Sequence, residues 1–252
     1  NYLAQRRHPY SLYRLSYLIQ TGFNKYGLHI EKDEILAFEY TKMAADKMVA
    51  AAICKLGVMY EKGIGVELNM NLARVQYKRA AGFGNCFAKC ALARFYEEGL
   101  GGLSINYEEA YRLYEEAEKK NYRWARYRIG LMYEEGRKFE VDLEEAYEYY
   151  QKAIEDGSYM AKFQVGRWYE TGKYFGEVDI KKALVMYEEA ATNNEIDAQF
   201  QLGDESQYAS FYLGKLYEEG EIVMRDLEQS RKWYKISALH GNKDAEERLL
   251  II

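Results

Sequence analysis

The sequence predicts an all-α fold, a right-handed superhelical solenoid of tandem helical hairpins. Three observations carry that prediction. An aliphatic–small dipeptide recurs about every 36 residues, the residues around it keep helical spacing, and 20 glycines fall at regular places in a chain whose one proline is Pro9.

The first element of each unit, helix A, is marked by Leu15-Ser16, Leu56-Gly57, Leu92-Ala93, Ile129-Gly130, Val165-Gly166 and Leu213-Gly214, with a further copy at Leu202-Gly203. An alanine sits four residues before the aliphatic in every copy but the first, which has Ser11, and a tyrosine four after it at Tyr60, Tyr96, Tyr133, Tyr169 and Tyr217. Residues at i, i+4 and i+8 form one helical stripe, so the A helices are expected near 11–21, 52–62, 88–98, 125–135, 161–171 and 209–219, with no β-sheet anywhere. Glycine inside a helix costs about 1 kcal/mol against alanine. The small residue after each aliphatic therefore implies close helix approach.

The second element, helix B, carries Ala37, Ala73, Ala110, Ala146, Ala183 or Ser230. Four residues upstream stand Asp33, Asn69, Asn106, Asp142, Asp179 and Asp226, each able to accept a backbone N–H as an N-cap. Gly84, Asn121, Gly157, Asn194 and Gly241 close the helices with residue types suited to a left-handed C′ position, and Met48 breaks that rule in the first unit. The complete units read as about 11–48, 52–84, 88–121, 125–157, 161–194 and 209–241, in one continuous domain over 1–252 that ends in a partial helix at 244–252. Around 198–208 the period breaks, because Ala209 starts a new helix A eleven residues after Ala198. That stretch reads as a half-unit fused into a longer helix or, preferably, as a join at Gln201–Gln207 where residues have been lost.

The run Leu56-Gly57-x-x-Tyr60-Glu61-x-Gly63-x-Gly65-Val66, followed by Asn69-x-x-x-Ala73-x-x-x-Tyr77-x-x-Ala80-Ala81, resembles the Sel1-like repeat, a relative of the tetratricopeptide repeat with a longer loop inside each hairpin. The resemblance covers residues 11 to 252, with an 18-residue gap from Ile19 to Ala37 in the first unit. It implies a non-enzymatic scaffold or adaptor. Roles implied for such proteins include complex assembly, endoplasmic-reticulum-associated degradation, regulation of fungal chitin synthesis and bacterial host interaction. Some members staple their units with paired cysteines within a repeat, a spacing that Cys54, Cys86 and Cys90 lack.

Composition narrows the function. With 35 basic and 40 acidic side chains the net charge is −5, which argues against nucleic-acid or membrane-surface binding through bulk positive charge. The longest apolar run, Met48–Cys54, is far below the roughly 18 residues that span a bilayer. The chain opens at Asn1 with neither methionine nor leader, which reads as a mature product or a piece of something longer. Three cysteines without a Cys-x-x-Cys point to a reducing, cytoplasmic setting, with the endoplasmic-reticulum lumen and secretion left open.

No catalytic set, metal site or cofactor is expected. His8, His29 and His240 never stand one helical turn apart, no Ser-x-x-Lys occurs, and Cys86 and Cys90 lack further ligands nearby. Cys54 and Cys90 take a position that other units give to Tyr13, Tyr127, Phe163 and Phe211, so they read as core. Trp168, Trp233, Tyr149 and Tyr150 read as packing residues, and Glu97-Glu98, Glu134-Glu135 and Glu218-Glu219 as solvated helix ends.

With the motif alanine as position 0, positions 0, 4, 7 and 8 point toward helix B, and positions 2 and 5 toward a neighbouring unit. Positions −1, 3, 6 and 10 remain and are expected to line a concave groove. They carry Arg14, Lys55, Arg94, Trp124, Arg128, Arg167 and Lys215, the candidate partner-binding residues, interrupted by Tyr17, Val58 and Leu131. Bases beside an aromatic row suit an acidic peptide segment or a terminal carboxylate. The alternative is a docking or regulatory region of a larger enzyme or signalling protein, suggested by the apolar end Leu249-Leu250-Ile251-Ile252, which offers a second contact.

Overall fold

A computed structural model describes residues 8–25, 28–192 and 205–252. The chain forms two compact units, Asn1–Tyr122 and Arg123–Ile252. The first unit holds α1 (Pro9–Thr21), β1 (Phe23–Lys25), β2 (Leu28–Ile30), α2 (Glu34–Asp46), α3 (Ala50–Lys62), α4 (Met70–Gly82), α5 (Cys86–Glu98) and α6 (Tyr107–Glu118). The second holds α7 (Arg123–Glu135), α8 (Leu143–Glu155), α9 (Tyr159–Thr171), α10 (Ile180–Thr192), α11 (Glu205–Glu219), α12 (Leu227–Leu239) and α13 (Lys243–Ile251). Odd-numbered helices α1 to α11 are the A elements, even-numbered ones the B elements, and the fold is an all-α array of helical hairpin repeats.

The A helices end at the expected residues, 21, 62, 98, 135, 171 and 219. Gly63, Gly99, Gly136, Gly172 and Gly220 follow the last five with φ between 68° and 70°, the left-handed region that stops a helix. Five of the six A helices begin two residues before the expected start, and α11 begins four before. Residues 205–208 thus belong to α11, whereas Ala198 and Leu202-Gly203 lie outside the described residues.

Each B helix starts as its cap residue requires. Asp33, Asn69, Asn106, Asp142, Asp179 and Asp226 accept the N3 amide at 2.9–3.0 Å. The amide of the same residue donates to the position-8 carbonyl of its A helix, as in Asn69 to Tyr60 at 2.8 Å and Asp142 to Tyr133 at 3.1 Å. At the C-terminal ends Gly84, Asn121, Gly157 and Gly241 all take positive φ, and Met48 does so too at 63° despite its side chain. Asn194 lies outside the described residues.

The expected absence of sheet does not hold. The long first loop forms a two-stranded antiparallel hairpin, Phe23 opposite Ile30 and Lys25 opposite Leu28. A loop this long must satisfy its own backbone groups, and strand pairing does so. The Asp33 amide still donates to the Ile19 carbonyl at 3.0 Å, so the hairpin is an insertion that leaves the register of the two helices unchanged.

The mid-helix glycine has a specific partner. A Cβ built on Gly57, Gly130, Gly166 or Gly214 would lie 2.6–2.7 Å from a ring carbon of Tyr77, Tyr150, Tyr187 or Tyr234, the tyrosine of the same hairpin's helix B. Position 5 therefore faces its own helix B, and position 2 does too, since Tyr127 and Phe211 lie 5.9 and 5.4 Å from Tyr150 and Tyr234. The expectation that both face a neighbouring unit is corrected. Position 7 takes that role instead: Phe95 meets Tyr77, and Trp168 meets Tyr150, edge-on at 5.6 and 5.3 Å.

Cys54 and Cys90 are fully buried, as expected of core positions. Trp168, Trp233 and Tyr150 are buried, while Tyr149 is half-buried.

Candidate partner-binding face

The helix-B tyrosine at this position, which lies on a glycine in four hairpins, sends its hydroxyl to a glutamate on helix A. Tyr77 donates to Glu61 at 2.6 Å, Tyr114 to Glu97 at 2.5 Å, Tyr150 to Glu134 at 2.6 Å and Tyr234 to Glu218 at 2.7 Å, and Tyr187 donates to Glu170. Glu97 and Glu134 are only 3% and 7% exposed, so the reading of these acids as solvated is corrected for the first of each pair. Glu98, Glu135 and Glu219 are exposed. The recurrence of Glu 16 or 17 residues before the helix-B tyrosine was the signal that could have separated the two.

Four of these glutamates also hold successive repeats together. Glu61 accepts from Arg94, and Glu170 from Tyr212 at 2.7 Å. Glu134 accepts from Gln164 at 2.8 Å, Trp168 at 2.9 Å and Lys173 at 2.6 Å, and Glu218 accepts from Arg248. Burial alone would raise Glu134, but the bonds from Lys173, Tyr150, Trp168 and Gln164 hold it below the usual carboxylate range. Burial and the neighbouring Glu61 push the Tyr77 phenol well above its ordinary range.

The seven candidate residues divide by burial. Arg14, Arg167 and Lys215 are exposed, Lys215 with Glu219 3.4 Å away. Trp124 is half-buried and packs against the core around Tyr150 and Trp168. Arg128 is 8% exposed with its guanidinium 5.6 Å from the Trp124 ring centre. Arg94 is engaged by Glu61 and Glu98, and Lys55 is 6% exposed. The expectation that positions 3 and 6 point away from both packing faces therefore holds for Arg14, Arg167 and Lys215 and fails for Lys55, Arg94 and Arg128. The physical reason is that a long side chain at position 3 or 6 can fold back onto the protein, Lys55 and Arg94 onto Ser16 and Glu61 of the preceding hairpin and Arg128 over the Trp124 ring of its own helix. Lys62, at position 10, is exposed beside them.

His240 caps α12, its Nδ1 donating to the Ile236 carbonyl at 2.7 Å. Among the described residues no helix is long and apolar enough to cross a membrane.

Tandem α-hairpins, four of them closed by glycine, tyrosine and glutamate and several presenting bases along helix A, define a helical-repeat protein of the interaction type. The Sel1 repeat profile matches residues 9–47, 50–81, 87–122, 125–158, 160–195 and 196–242, and the chain belongs to the Sel1 repeat family. Sel1 repeat proteins generally mediate protein–protein interactions and are typically non-enzymatic scaffolds. A Sel1 repeat protein from Oxalobacter formigenes is 27% identical, with a TM-score of 0.70 over 92% of this chain and 85% of that one. The protective antigen c5321 of uropathogenic Escherichia coli shares the fold at 24% identity and a TM-score of 0.58, and this chain, 98% covered, spans 49% of its length. The immunity protein Pa5087 of Pseudomonas aeruginosa shares it at 16% identity and a TM-score of 0.65, over 92% of this chain and 82% of that one. No curated protein is a significant match.

Proposed function

We propose that this protein is a non-enzymatic adaptor whose A helices bind an acidic segment of another protein. One observation supports the reading above others: the stripe at positions −1, 3, 6 and 10 is basic in a chain of net charge −5. In the first unit it carries Arg14, Lys55, Lys62 and Arg94 against Glu98, and in the second Arg128, Arg167 and Lys215 against Glu135 and Glu219. An excess of one sign on one face attracts the opposite sign and speeds its encounter.

The test reverses only the exposed bases. The triple variant Arg14→Glu, Arg167→Glu, Lys215→Glu keeps the helical circular dichroism and melting temperature of the wild type, since exposed substitutions move stability by about 0.5 kcal/mol or less each. It loses the proteins that the wild type captures at low salt, and wild-type capture falls as salt is added. Unchanged capture by the triple variant refutes the basic stripe as the binding face.

A second reading makes the chain the docking region of a larger enzyme or signalling protein. Leu239, Leu250 and Ile251, which are 85%, 88% and 72% exposed on α12 and α13, support it as an apolar contact surface.

A further inference from the structure

Four of the five junctions between a hairpin and the next A-type helix within the two units share one device. A glutamate at position 9 receives a donor from that next helix: Glu61 from Arg94, Glu134 from Gln164, Glu170 from Tyr212 and Glu218 from Arg248. The first junction lacks it. Gln20 stands at position 9 of α1, and the side chain that α3 sends to this junction is Lys55.

Lys55 is nearly buried with no counter-charge. Its ammonium donates to Ser16 Oγ at 3.2 Å, and the Ser16 hydroxyl is already committed to the Tyr13 carbonyl at 2.7 Å. The rings of Tyr13 and Tyr17 lie 5.9 and 5.5 Å from Nζ. Among the described residues no carboxylate reaches ion-pair distance of it. Aromatic faces offset part of the cost of burying an ammonium, but two of its three donors remain without an acceptor. The residues beside it are small. Ala51 occupies the row that holds Phe87, Trp124 and Met160 elsewhere, and Ala91 on α5 the row that holds Gln164 and Tyr212.

We propose that a Glu or Asp side chain of the acidic partner segment completes this junction, binding Lys55 in the place that a glutamate of the chain itself takes at the other four. The proposal rests on the acidic-partner reading above. It goes further by naming where one carboxylate enters and why it is a side chain: what the junction lacks, relative to the others, is the carboxylate that Glu would have and Gln20 does not.

The test uses isothermal titration calorimetry with an oligoglutamate decamer acetylated and amidated at its ends. An oligoglutamine decamer and the same oligoglutamine with a free terminal carboxylate serve as controls. Wild type binds the glutamate peptide and neither control. Lys55→Met, whose side chain suits the aromatic slot, weakens binding at least tenfold. Gln20→Glu weakens it to a similar degree while raising the melting temperature, because the carboxylate is now supplied within the chain. If Lys55→Met does not fold, Gln20→Glu decides alone. Full-strength binding by both variants, with loss in Arg167→Glu/Lys215→Glu, overturns the Lys55 site and leaves the acidic reading standing. No binding of oligoglutamate to wild type overturns both. Binding of oligoglutamine with a free terminus as tightly as oligoglutamate overturns the side-chain assignment.

Discussion

Gly130→Ala is expected to destabilise a protein that helix propensity says it should stabilise. Replacing a mid-helix glycine by alanine gains about 1 kcal/mol when the new methyl meets nothing. At Gly130 it would meet Tyr150 carbons at 2.6 and 2.8 Å and the Ala146 carbonyl oxygen at 3.2 Å. The Tyr150 ring is fully buried and its hydroxyl is held by Glu134, so it has little room to yield. Overpacking of this kind costs about 1–3 kcal/mol. A ring displaced from Glu134 also forfeits a hydrogen bond to a charged group, worth about 1.5–3 kcal/mol. Set against the propensity gain, a net loss of about 1.5–5 kcal/mol remains, or a fall of roughly 3–20 °C in melting temperature for a chain of this size. The control is Gly82→Ala on α4, where an added Cβ meets nothing within 4 Å and the full propensity gain should appear. Thermal unfolding followed by circular dichroism compares the two. Should Gly130→Ala melt higher than wild type, as Gly82→Ala is expected to, the tyrosine is free to shift. The hairpin at Ala93 and Tyr114, where alanine is the native residue, would then be the general case rather than the exception.

Three further outcomes are expected. Burial lowers Lys55 to about 8, so between there and the ordinary lysine value the folded chain binds fewer protons than the unfolded one, and stability rises with pH by up to on the order of 3 kcal/mol. Its titratable neighbours are Tyr13 and Tyr17 of α1 and Cys54 of α3. Because burial pushes Tyr13 up to about 12, tyrosine ionisation opposes the gain only above roughly pH 10. Denaturant unfolding at pH 7 and 9.5 should show the rise in wild type and not in Lys55→Met. Met48→Gly should stabilise by about 1 kcal/mol by relieving a left-handed backbone, against the loss of a weak Arg79 contact to the Met48 sulfur at 3.8 Å, and its melting temperature checks it. A thiol reagent should modify Cys86 first and Cys54 only on unfolding, since burial raises the Cys54 thiol and covers it.

The hairpin array was legible because the residues that define it are local. Asp142 caps α8 and Gly136 ends α7 wherever the rest of the chain goes, so their spacing in sequence survives as spacing in space. What stayed hidden depends on contacts between elements. Helix periodicity assigned Gly57 to the wrong neighbour because a 100° step places a residue on a face without saying which helix lies against that face. Glu134 and Glu135 are adjacent and chemically identical, yet one takes four donors and the other faces water. The basic row was read from the same projection, and it could not show that Lys55 and Arg94 are long enough to fold back into the seam or that Arg128 lies over Trp124. The short strands of the first loop carry no turn signal that distinguishes them from irregular chain.

The glutamate seams make the repeats non-interchangeable. Four junctions offer a similar acceptor, but the donor differs: a guanidinium from Arg94, an amide and an indole from Gln164 and Trp168, a phenol from Tyr212, a guanidinium from a different helix position at Arg248. A hairpin moved to another place in the series would bring a key cut for a different lock, leaving a buried carboxylate short of its donor or two donors competing for one. Nearest-neighbour coupling of this sort fixes serial order as firmly as it fixes stability. Deleting one internal hairpin should then cost more than the contacts it carries, because the new junction would join an acceptor and a donor that did not evolve together.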